Sequence, residues 1–287
     1  MQALSRFFQH NFGRFWLAAV YLFLYIPLFF LIIFSFNSTR QDGVFTGFST
    51  RWYVALLNDS RLVDGFFLSL KVAVLTGTLS TVLGTFAAFV LVRYPRFHGR
   101  SLFSGLVSAP LVMPEVIIGL SLLLLMVAVQ HAIGWPERGA TTIIIGHTLL
   151  GMAYATVVIA ARLREMDRTI EEAAMDLGCR PGQVFFLVTL PNILPSLVAA
   201  WLLTFTLSFD DVVVSEFLSG PGVTTLPQVI FGYARRGVNP SIYAAATILI
   251  LTVSLGIIAY SITTIRTQTR REREIKAAER SELALKS

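Results

Sequence analysis

Long apolar stretches dominate this sequence and restrict the folds that it can adopt. A helix needs about 20 apolar residues to cross a hydrocarbon core of roughly 30 Å, because each residue adds about 1.5 Å. Six stretches of the 287-residue chain qualify, at about residues 15–36, 66–92, 102–130, 141–161, 193–217 and 241–265. Only 14% of the residues are charged, against about 25% in a typical soluble domain. The sequence therefore predicts an all-α membrane protein with six transmembrane helices.

The Lys and Arg residues are distributed unevenly between the two sets of connecting segments. The two tails, together with the loops at 93–100 and 162–180, hold 16 of the 23 basic residues. Cytoplasmic segments carry this excess in membrane proteins, so both termini are expected in the cytoplasm. The predicted division is an N-terminal tail at 1–14, a first transmembrane helix at 15–36, a periplasmic loop at 37–65, a five-helix core at 66–265 and a C-terminal tail at 266–287.

The residue types that carry enzymatic, metal or nucleotide chemistry show no suitable pattern. The four His residues lie far apart without metal-ligand spacing, and the single cysteine, Cys179, has no His nearby in the sequence. No Gly-Lys dipeptide occurs, so the phosphate-binding P-loop is absent. The basic C-terminal tail also contains Glu, which is typical of a solvated helix. We expect no catalytic residue, metal, cofactor or nucleic acid, and we expect contact with membrane lipid.

Two of the predicted spans contain features that should shape their packing. Pro110 and Pro114 lie inside the third span, where they should kink or break the helix. The second span places small residues on one face, which lets membrane helices approach closely. These small residues are Ser69, Ala73, Thr76, Ser80, Gly84 and Ala87.

The loop between the fourth and fifth predicted spans is longer than a simple connection needs. Thr169 and Glu172 have the spacing of a capping box. Gly178 can end the helix that follows, and Pro181 can begin a second short helix. The apolar face of the first helix consists of Ile170, Ala173, Ala174 and Leu177. Acidic residues in this segment disfavour an anionic lipid surface, so a protein partner explains the loop better.

This loop resembles the signature of ABC importer permeases, which reads Glu-Ala-Ala, three residues, Gly, nine residues, Ile, one residue, Leu-Pro. Here 172–174 is Glu-Ala-Ala, Gly178 follows, and Val188 replaces Ile before Leu-Pro at 190–191. The resemblance implies a type I ABC importer permease fold with a cytoplasmic coupling helix between helices 4 and 5. It implies that this helix docks on a dimer of ABC ATPase subunits. The expected coupling residues are Glu171, Glu172, Ala173, Ala174, Gly178, Leu190 and Pro191.

Three further stretches, at 109–121, 163–167 and 205–217, are similar to the polyamine importer permeases. Among these, the chain most resembles the putrescine permease subunits of the paired-permease bacterial systems. The resemblance implies a place in the bacterial inner membrane, a second and non-identical permease subunit, and a periplasmic polyamine-binding protein. It also implies that a separate ATPase drives alternating access.

Four acidic residues lie inside the predicted spans, where ionisable side chains are costly and by default mark a pathway. Glu115 lies in the third span, while Asp210, Asp211 and Glu216 lie near the outer end of the fifth. No basic residue lies deep in a predicted span to neutralise them. His147 stands alone in the fourth span, where we expect it to be packed or hydrogen-bonded. An uncompensated set of acids favours a small cationic substrate.

Polar and aromatic residues form two neighbouring rows on the predicted fifth helix. The polar row, at intervals of three or four residues, consists of Thr204, Ser208, Asp211 and Ser215. The aromatic row suits a cation through cation–π attraction, although helix packing is the alternative, and consists of Trp201, Phe205 and Phe209. For Glu216 the alternative to a pathway role is a solvated position at the membrane interface. For Asp210 the alternative is a structural role. The expected substrate-pathway residues are Glu115, Trp201, Ser208, Asp210, Asp211 and Glu216.

Two other functions remain open at this point. An ABC importer permease could carry another small solute, such as an amino acid, sulfate or iron, because the coupling loop does not distinguish among them. An ion-coupled secondary transporter is the second alternative. Such transporters often contain inverted repeats with broken helices, and no internal repeat is evident in this sequence.

Overall fold

The computed structural model describes residues 2–39, 44–235, 240–252, 254–255, 258 and 262, with side chains from residue 12 onward. It divides into two units, one formed by residues 1–58 and 236–287 and the other by residues 59–235. Within the described ranges the regular structure is helical, apart from one isolated bridge between Asn37 and Phe48.

The first unit contains helices α1 (Gln2–Ser35) and α2 (Arg51–Leu57) and a shorter apolar helix, α12 (Pro240–Thr252). Asn37 organises the segment between α1 and α2, because its carbonyl accepts from Trp52 Nε1 at 2.6 Å and its side chain accepts from the Thr46 amide at 2.9 Å. Helix α2 lies inside the segment predicted as a loop, residues 37–65. Most of the predicted sixth span beyond α12, and the C-terminal tail, lie outside the described residues.

The second unit is built from nine α-helices over residues 59–235, all of which the structure describes. They are α3 (Ser60–Arg93), α4 (Arg100–Ser108), α5 (Glu115–Ile133), α6 (Ala140–Glu165), α7 (Arg168–Asp176), α8 (Pro181–Val184), α9 (Leu190–Asp210), α10 (Val213–Leu218) and α11 (Leu226–Arg235). A π-helical turn, Phe185–Thr189, joins α8 to α9.

Five helices of the described chain are long and apolar enough to cross a membrane. They are Phe12–Ser35, Ser60–Arg93, Glu115–Ile133, Ala140–Glu165 and Pro181–Asp210. They correspond to the first five predicted spans, with shifted ends. Helix α3 begins before the predicted residue 66 because the Asp59 carboxylate accepts the amides of Arg61 and Leu62, at 3.1 and 3.4 Å. Carboxylates in this position satisfy the free N–H groups at a helix start.

Helices α3, α6 and α9 pack closely through small side chains. The small residues predicted on one face of α3 are all buried, namely Ser69, Ala73, Thr76, Ser80, Gly84 and Ala87. A Cβ atom added at Gly84 would lie 2.6 Å from the Ala155 Cβ of α6. A Cβ atom added at Gly151 would overlap the Ser80 hydroxyl. The prediction of a close-packing face on α3 is therefore confirmed.

Apolar clusters stabilise the two ends of this packing. One cluster contains Val72, Ile118, Leu122, Met126, Ile143, Val214 and Leu218. The other contains Ala88, Ala155, Ile159, Ala160, Leu163, Ile193 and Ala200. Buried polar side chains lie between them along the helices, including Ser80, Thr204, Ser208 and His147.

The predicted third span is broken rather than continuous. Helix α4 ends at Ser108, a 3₁₀ turn covers Ala109–Leu111, and α5 begins at Glu115 after an extended Pro114 (φ −59°, ψ 133°). The break expected from the two prolines is confirmed, because a proline interrupts the hydrogen-bond ladder of a helix. Glu115 consequently lies in the first turn of α5, not in the middle of a helix.

The predicted fifth span of 193–217 is wrong at its C-terminal end. Helix α9 stops at Asp210, Asp211 is extended (φ −66°, ψ 131°), and the short α10 follows. Glu216 therefore lies on a separate helix. The hydropathy stays high across the break because Val212, Val213 and Val214 are as apolar as the helix before them.

We expect Gly84→Ala to destabilise the second unit, since overpacking a well-packed core costs about 1–3 kcal/mol. The matched control is Gly105→Ala on α4, where an added Cβ meets no atom within 4 Å. Thermal unfolding of the purified protein, followed by intrinsic fluorescence, should show a lower Tm for Gly84→Ala alone. Equal Tm values for the two variants would contradict the close contact between α3 and α6.

Candidate functional site

A cavity of about 370 Å³ lies where α5 begins and α9 ends, with α6 along its wall. Three of the predicted pathway acids line it: Glu115, Asp210 and Asp211. Ser208 and His147 line it as well. No Lys or Arg is among its lining residues, all of which belong to the described part of the second unit.

Asp211 forms a buried polar cluster with His147. The His147 Nε2 atom lies 3.0 Å from Asp211 Oδ2, and the Nδ1 atom lies 2.7 Å from Ser208 Oγ. The Ser215 hydroxyl lies 3.2 Å from Nε2. The expectation that His147 stands alone is therefore wrong, because its ring contacts the Asp211 carboxylate. The expectation that His147 is hydrogen-bonded is confirmed.

The same carboxylate holds the helix break together. Asp211 accepts the amide of Val214 at 3.3 Å and the amide of Ser215 at 2.8 Å, so it caps α10 directly after α9 has ended. Backbone amides left free at a break inside a membrane protein need such a partner. Asp211 thus has a structural role in addition to lining the cavity.

Glu115 and Asp210 differ from Asp211 in their contacts. Both carboxylates line the cavity, and both side chains are exposed. Among the described residues, neither forms an ion pair or a hydrogen bond with another side chain. Two carboxylates on two different helices are thus available to a ligand in this cavity.

The polar row predicted on one continuous helix is divided by the break at Asp211. Thr204 and Ser208 lie on α9, and Ser215 lies on α10. Ser208, Asp211 and Ser215 nevertheless meet, because all three contact His147. The sequence predicted that these three residues lie close together, and they do. The continuous helix on which that prediction was based is absent, because the chain breaks at Asp211.

The aromatic row packs against α3. Trp201 stacks on Phe205 with ring centres 5.2 Å apart, and Phe205 stacks on Phe209 at 5.8 Å. Trp201 Nε1 donates to Thr78 Oγ1 at 3.1 Å, and Phe209 meets the edge of Phe66 at 6.2 Å. None of the three aromatic residues lines the cavity. This geometry matches the helix-packing alternative.

Glu216 also lies outside the set of cavity-lining residues. Its Oε2 accepts from Gln228 Nε2 at 3.0 Å, and the same nitrogen donates to Ser219 Oγ at 3.2 Å. Gln228 in turn accepts the Thr225 amide at 2.8 Å. Glu216 therefore joins α10 to the start of α11.

The predicted coupling helix exists as α7, but its cap differs from the prediction. Asp167, not Thr169, is the N-cap residue, and its Oδ1 accepts the Thr169 amide at 3.0 Å. The Thr169 backbone N–H holds the pKa of Asp167 below its ordinary value, because it stabilises the charged carboxylate. The capping box of Thr169 and Glu172 is wrong, since the helix begins one residue before Thr169.

The end of α7 follows the prediction. Gly178 adopts φ +90°, and its amide donates to the Met175 carbonyl at 2.9 Å. The Cys179 amide reaches the Ala174 carbonyl at 3.1 Å, which completes a Schellman motif. Pro181 then begins α8, as predicted. The second helix is not separate, however, because it continues through the π-helical turn into α9.

Glu171 ties α7 to the membrane helices. Its Oε2 lies 2.9 Å from Arg93 Nε at the end of α3, and its Oε1 accepts from Arg93 Nη2 at 3.0 Å and from Thr189 Oγ1 at 2.7 Å. Arg93 Nη1 also donates to the Leu163 carbonyl of α6 at 3.1 Å. Charge-assisted contacts of this kind are strong. Glu171 and Arg93 together thus connect four segments of the unit.

The other side of α7 is directed away from these contacts. Glu172 and Ala173 are exposed, and the Leu177 side chain is 88% exposed. Ile170 and Met175 are about half exposed. Apolar side chains left uncovered on a short amphipathic helix are typical of a surface that a partner covers.

Comparison with known proteins identifies the family. Residues 80–270 match the family described as "Binding-protein-dependent transport system inner membrane component". The chain belongs to this family. It is therefore an inner-membrane transport subunit and not an enzyme, and it works in a transport system that depends on a binding protein. Family membership also favours the importer over the ion-coupled alternative.

Two relatives refine this placement, and both span nearly the whole chain. The chain is 51% identical to the "Putrescine transport system permease protein PotI" of Escherichia coli (strain K12), over 91% of the chain and 93% of the relative. It is 37% identical to the "Spermidine/putrescine transport system permease protein PotC" of Haemophilus influenzae, over 90% of the chain and 96% of the relative. The resemblance to polyamine permeases is confirmed.

The fold has solved counterparts among ABC transporters. A bacterial alginate ABC transporter, crystallised with its pentasaccharide-bound periplasmic protein, superimposes with a TM-score of 0.69 at 16% identity. The match covers 90% of this chain and 94% of that chain. This match confirms the predicted all-α ABC importer permease fold of the chain.

Arg93, Thr189 and His147 are the residues whose roles the sequence did not reveal. Each is a single polar residue whose acidic partner lies 18 to 78 positions away. A lone buried His or Arg in an apolar run is a usable signal, because such a residue needs a partner. It does not say which acid is the partner.

Glu171→Gln should loosen α7 in the transport subunit. Arg93 and Glu171 are only 9% and 13% exposed, and breaking a buried pair costs roughly 3 kcal/mol or more. Limited trypsin digestion after Arg168, in the first turn of α7, measures the opening of this segment. Glu172→Gln removes the neighbouring, exposed carboxylate and should leave the digestion rate unchanged. Identical rates for the two variants would show that Glu171 does not anchor α7.

Proposed function

We propose that this chain is a permease subunit of an ATP-driven ABC importer that carries a polyamine, putrescine first, across the bacterial inner membrane. The observation that carries the proposal is the pair of unengaged carboxylates, Glu115 and Asp210, on one cavity without a Lys or Arg in its lining. The relative named as a putrescine permease, at 51% identity, supports the same substrate class.

The arrangement suits a small dication. Putrescine carries an ammonium group at each end, and each group needs a negatively charged or polar partner once it leaves water. Glu115 and Asp210 supply two carboxylates from different helices, so one ligand can be held at both ends. Asp211 is already bound by His147 and by two backbone amides, which leaves its charge less available. We assign Asp211 to the shape of the cavity and the two other acids to the substrate.

Three partners complete the importer in this proposal. A second, non-identical permease subunit closes the pathway from the other side. A periplasmic polyamine-binding protein delivers the substrate, and a dimer of ABC ATPase subunits binds α7 in the cytoplasm. Glu172, Ala173, Ala174 and the exposed Leu177 form the docking surface. Gly178, Leu190 and Pro191 set the course of the chain that follows.

The membrane orientation belongs to the same proposal. The excess of basic residues on one set of loops supports cytoplasmic termini and a cytoplasmic α7. The proposed permease core covers residues 66–265, between a periplasmic segment at 37–65 and a cytoplasmic tail at 266–287. The first transmembrane helix, at 15–36, follows a short cytoplasmic tail at 1–14.

Glu115→Gln and Asp210→Asn should each raise the KM for putrescine uptake about tenfold, which corresponds to about 1.4 kcal/mol of lost binding. Uptake of labelled putrescine is measured in cells that express the complete importer. Glu137→Gln is the matched control, because Glu137 is exposed and lies outside the cavity. An unchanged KM in both cavity variants, with normal assembly, would overturn the substrate assignment.

Leu177→Asp should prevent co-purification of the ATPase subunits, because a charge would replace an apolar side chain at the proposed docking surface. Leu57→Asp on α2 is the control, since Leu57 is similarly exposed at 74% and lies in the proposed periplasmic segment. Affinity purification followed by quantification of each subunit gives the readout. Retention of the ATPase by the Leu177→Asp variant would contradict the proposed role of α7.

A further inference from the structure

A second cavity, of about 550 Å³, lies at the other end of the membrane helices. It is formed where α3 and α6 end and where α4 and α7 begin. Four arginines line it, namely Arg93, Arg100, Arg164 and Arg168. The polyamine pathway has no use for such a site, because a cationic substrate would be repelled from it.

The positive charge of this cavity is only partly compensated. Arg93 is matched by Glu171, and the lining residue Glu165 lies 3.5 Å from Arg162, outside the cavity. Asp167 is the other lining carboxylate, and it caps α7. The remaining arginines are Arg100, Arg164 and Arg168. Among the lining carboxylates, only that of Asp167 has no Arg partner already. Two positive charges are left without a counterion among the described residues.

Two of the cavity arginines have no carboxylate partner and can bind a phosphate. Arg168 donates through Nη2 to the Val92 carbonyl at 2.9 Å, which fixes one edge of the cavity. Arg100 and Arg164 are exposed and form no ion pair with a described residue. Planar guanidinium groups bind phosphate oxygens through paired N–H donors, and those of Arg100 and Arg164 are not engaged by a carboxylate of the described residues.

The surroundings favour a lipid phosphate over a soluble one. Tyr94, which follows Arg93, is 58% exposed. Helix α4 brings Arg100 to the cavity and exposes Leu102 and Leu106, which are one helical turn apart. Basic pockets between membrane helices on the cytoplasmic side bind anionic headgroups. The apolar residues beside this pocket offer a surface for acyl chains.

We propose that this arginine cavity binds the phosphate headgroup of an anionic phospholipid from the cytoplasmic leaflet. The proposal rests on the proposed orientation of the chain, and it goes beyond polyamine transport. Arg93 connects the cavity to Glu171, so a lipid bound here would lie beside the anchor of α7. The lipid composition of the membrane would then influence how firmly α7 is held.

The test compares lipid retention by two double variants of the chain in its purified complex. Arg100→Gln with Arg164→Gln removes the two unengaged arginines of the cavity. Arg96→Gln with Arg180→Gln removes the same charge from loops on the same face, outside the cavity lining. The complex is exposed to micelles with equal amounts of phosphatidylglycerol and phosphatidylcholine. Bound lipid is then counted by native mass spectrometry.

We expect the cavity variant to retain phosphatidylglycerol about tenfold more weakly than the wild type, because hydrogen bonds to charged groups are strong. The loop variant should match the wild type, and phosphatidylcholine should bind weakly to all three proteins. Equal losses in both variants would overturn the proposal in favour of a general positive surface. Displacement of the lipid by inorganic phosphate would overturn the lipid as occupant and indicate a soluble anion.

A partner protein is the remaining competitor for the cavity. If the cavity variant kept its lipid but lost the ATPase or the second permease subunit, the arginines would serve a protein contact, and the proposal would fail. Substrate uptake is a separate readout, because Arg100 and Arg164 are absent from the residues that line the substrate cavity. A negative lipid result would therefore not contradict the proposed transport of putrescine, which the uptake measurements test separately.

Discussion

The close approach of α3, α6 and α9 is the contact on which both sites depend. Small side chains such as Gly84 and Gly151 allow these helices to meet almost backbone to backbone. Only at that separation can His147 of α6 reach Asp211 at the end of α9, and Arg93 of α3 reach Glu171 of α7. In a membrane, association cannot rely on the hydrophobic effect between helices, so tight packing and buried polar contacts carry more of it.

The segment from α8 to α9 gives the two sites a physical connection. It runs from Pro181 to Asp210 without a loop, and its N-terminal part contacts α7 through Thr189 and Glu171. Its C-terminal end carries Asp210 into the cavity proposed for the substrate. In the proposed importer, a displacement of α7 by an ATPase would therefore act directly on the helix that positions Asp210.

Local features of this chain could be predicted from the sequence, whereas contacts between distant residues could not. The apolar runs, the break at Pro110 and Pro114, and the left-handed Gly178 follow from chemistry within a few residues. Asp211 and His147 lie 64 positions apart, and Arg93 and Glu171 lie 78 apart, so no periodicity links them. The end of α9 at Asp210 escaped prediction because the break is made by a buried polar cluster and not by a Gly or Pro.

The contact between Thr189 and Glu171 also explains why the spacing within the permease signature matters. Nine residues separate Gly178 from Val188, and they carry the chain from the turn through α8 and most of the π-helical turn. Each residue of a helix rotates the next side chain by roughly 100° and advances it by about 1.5 Å. An insertion or deletion in this interval would turn the Thr189 hydroxyl away from Glu171 and rotate the rest of α9 with it. The fold therefore requires this number of residues between Gly178 and Val188. The segment should tolerate changes of side chain better than changes of length.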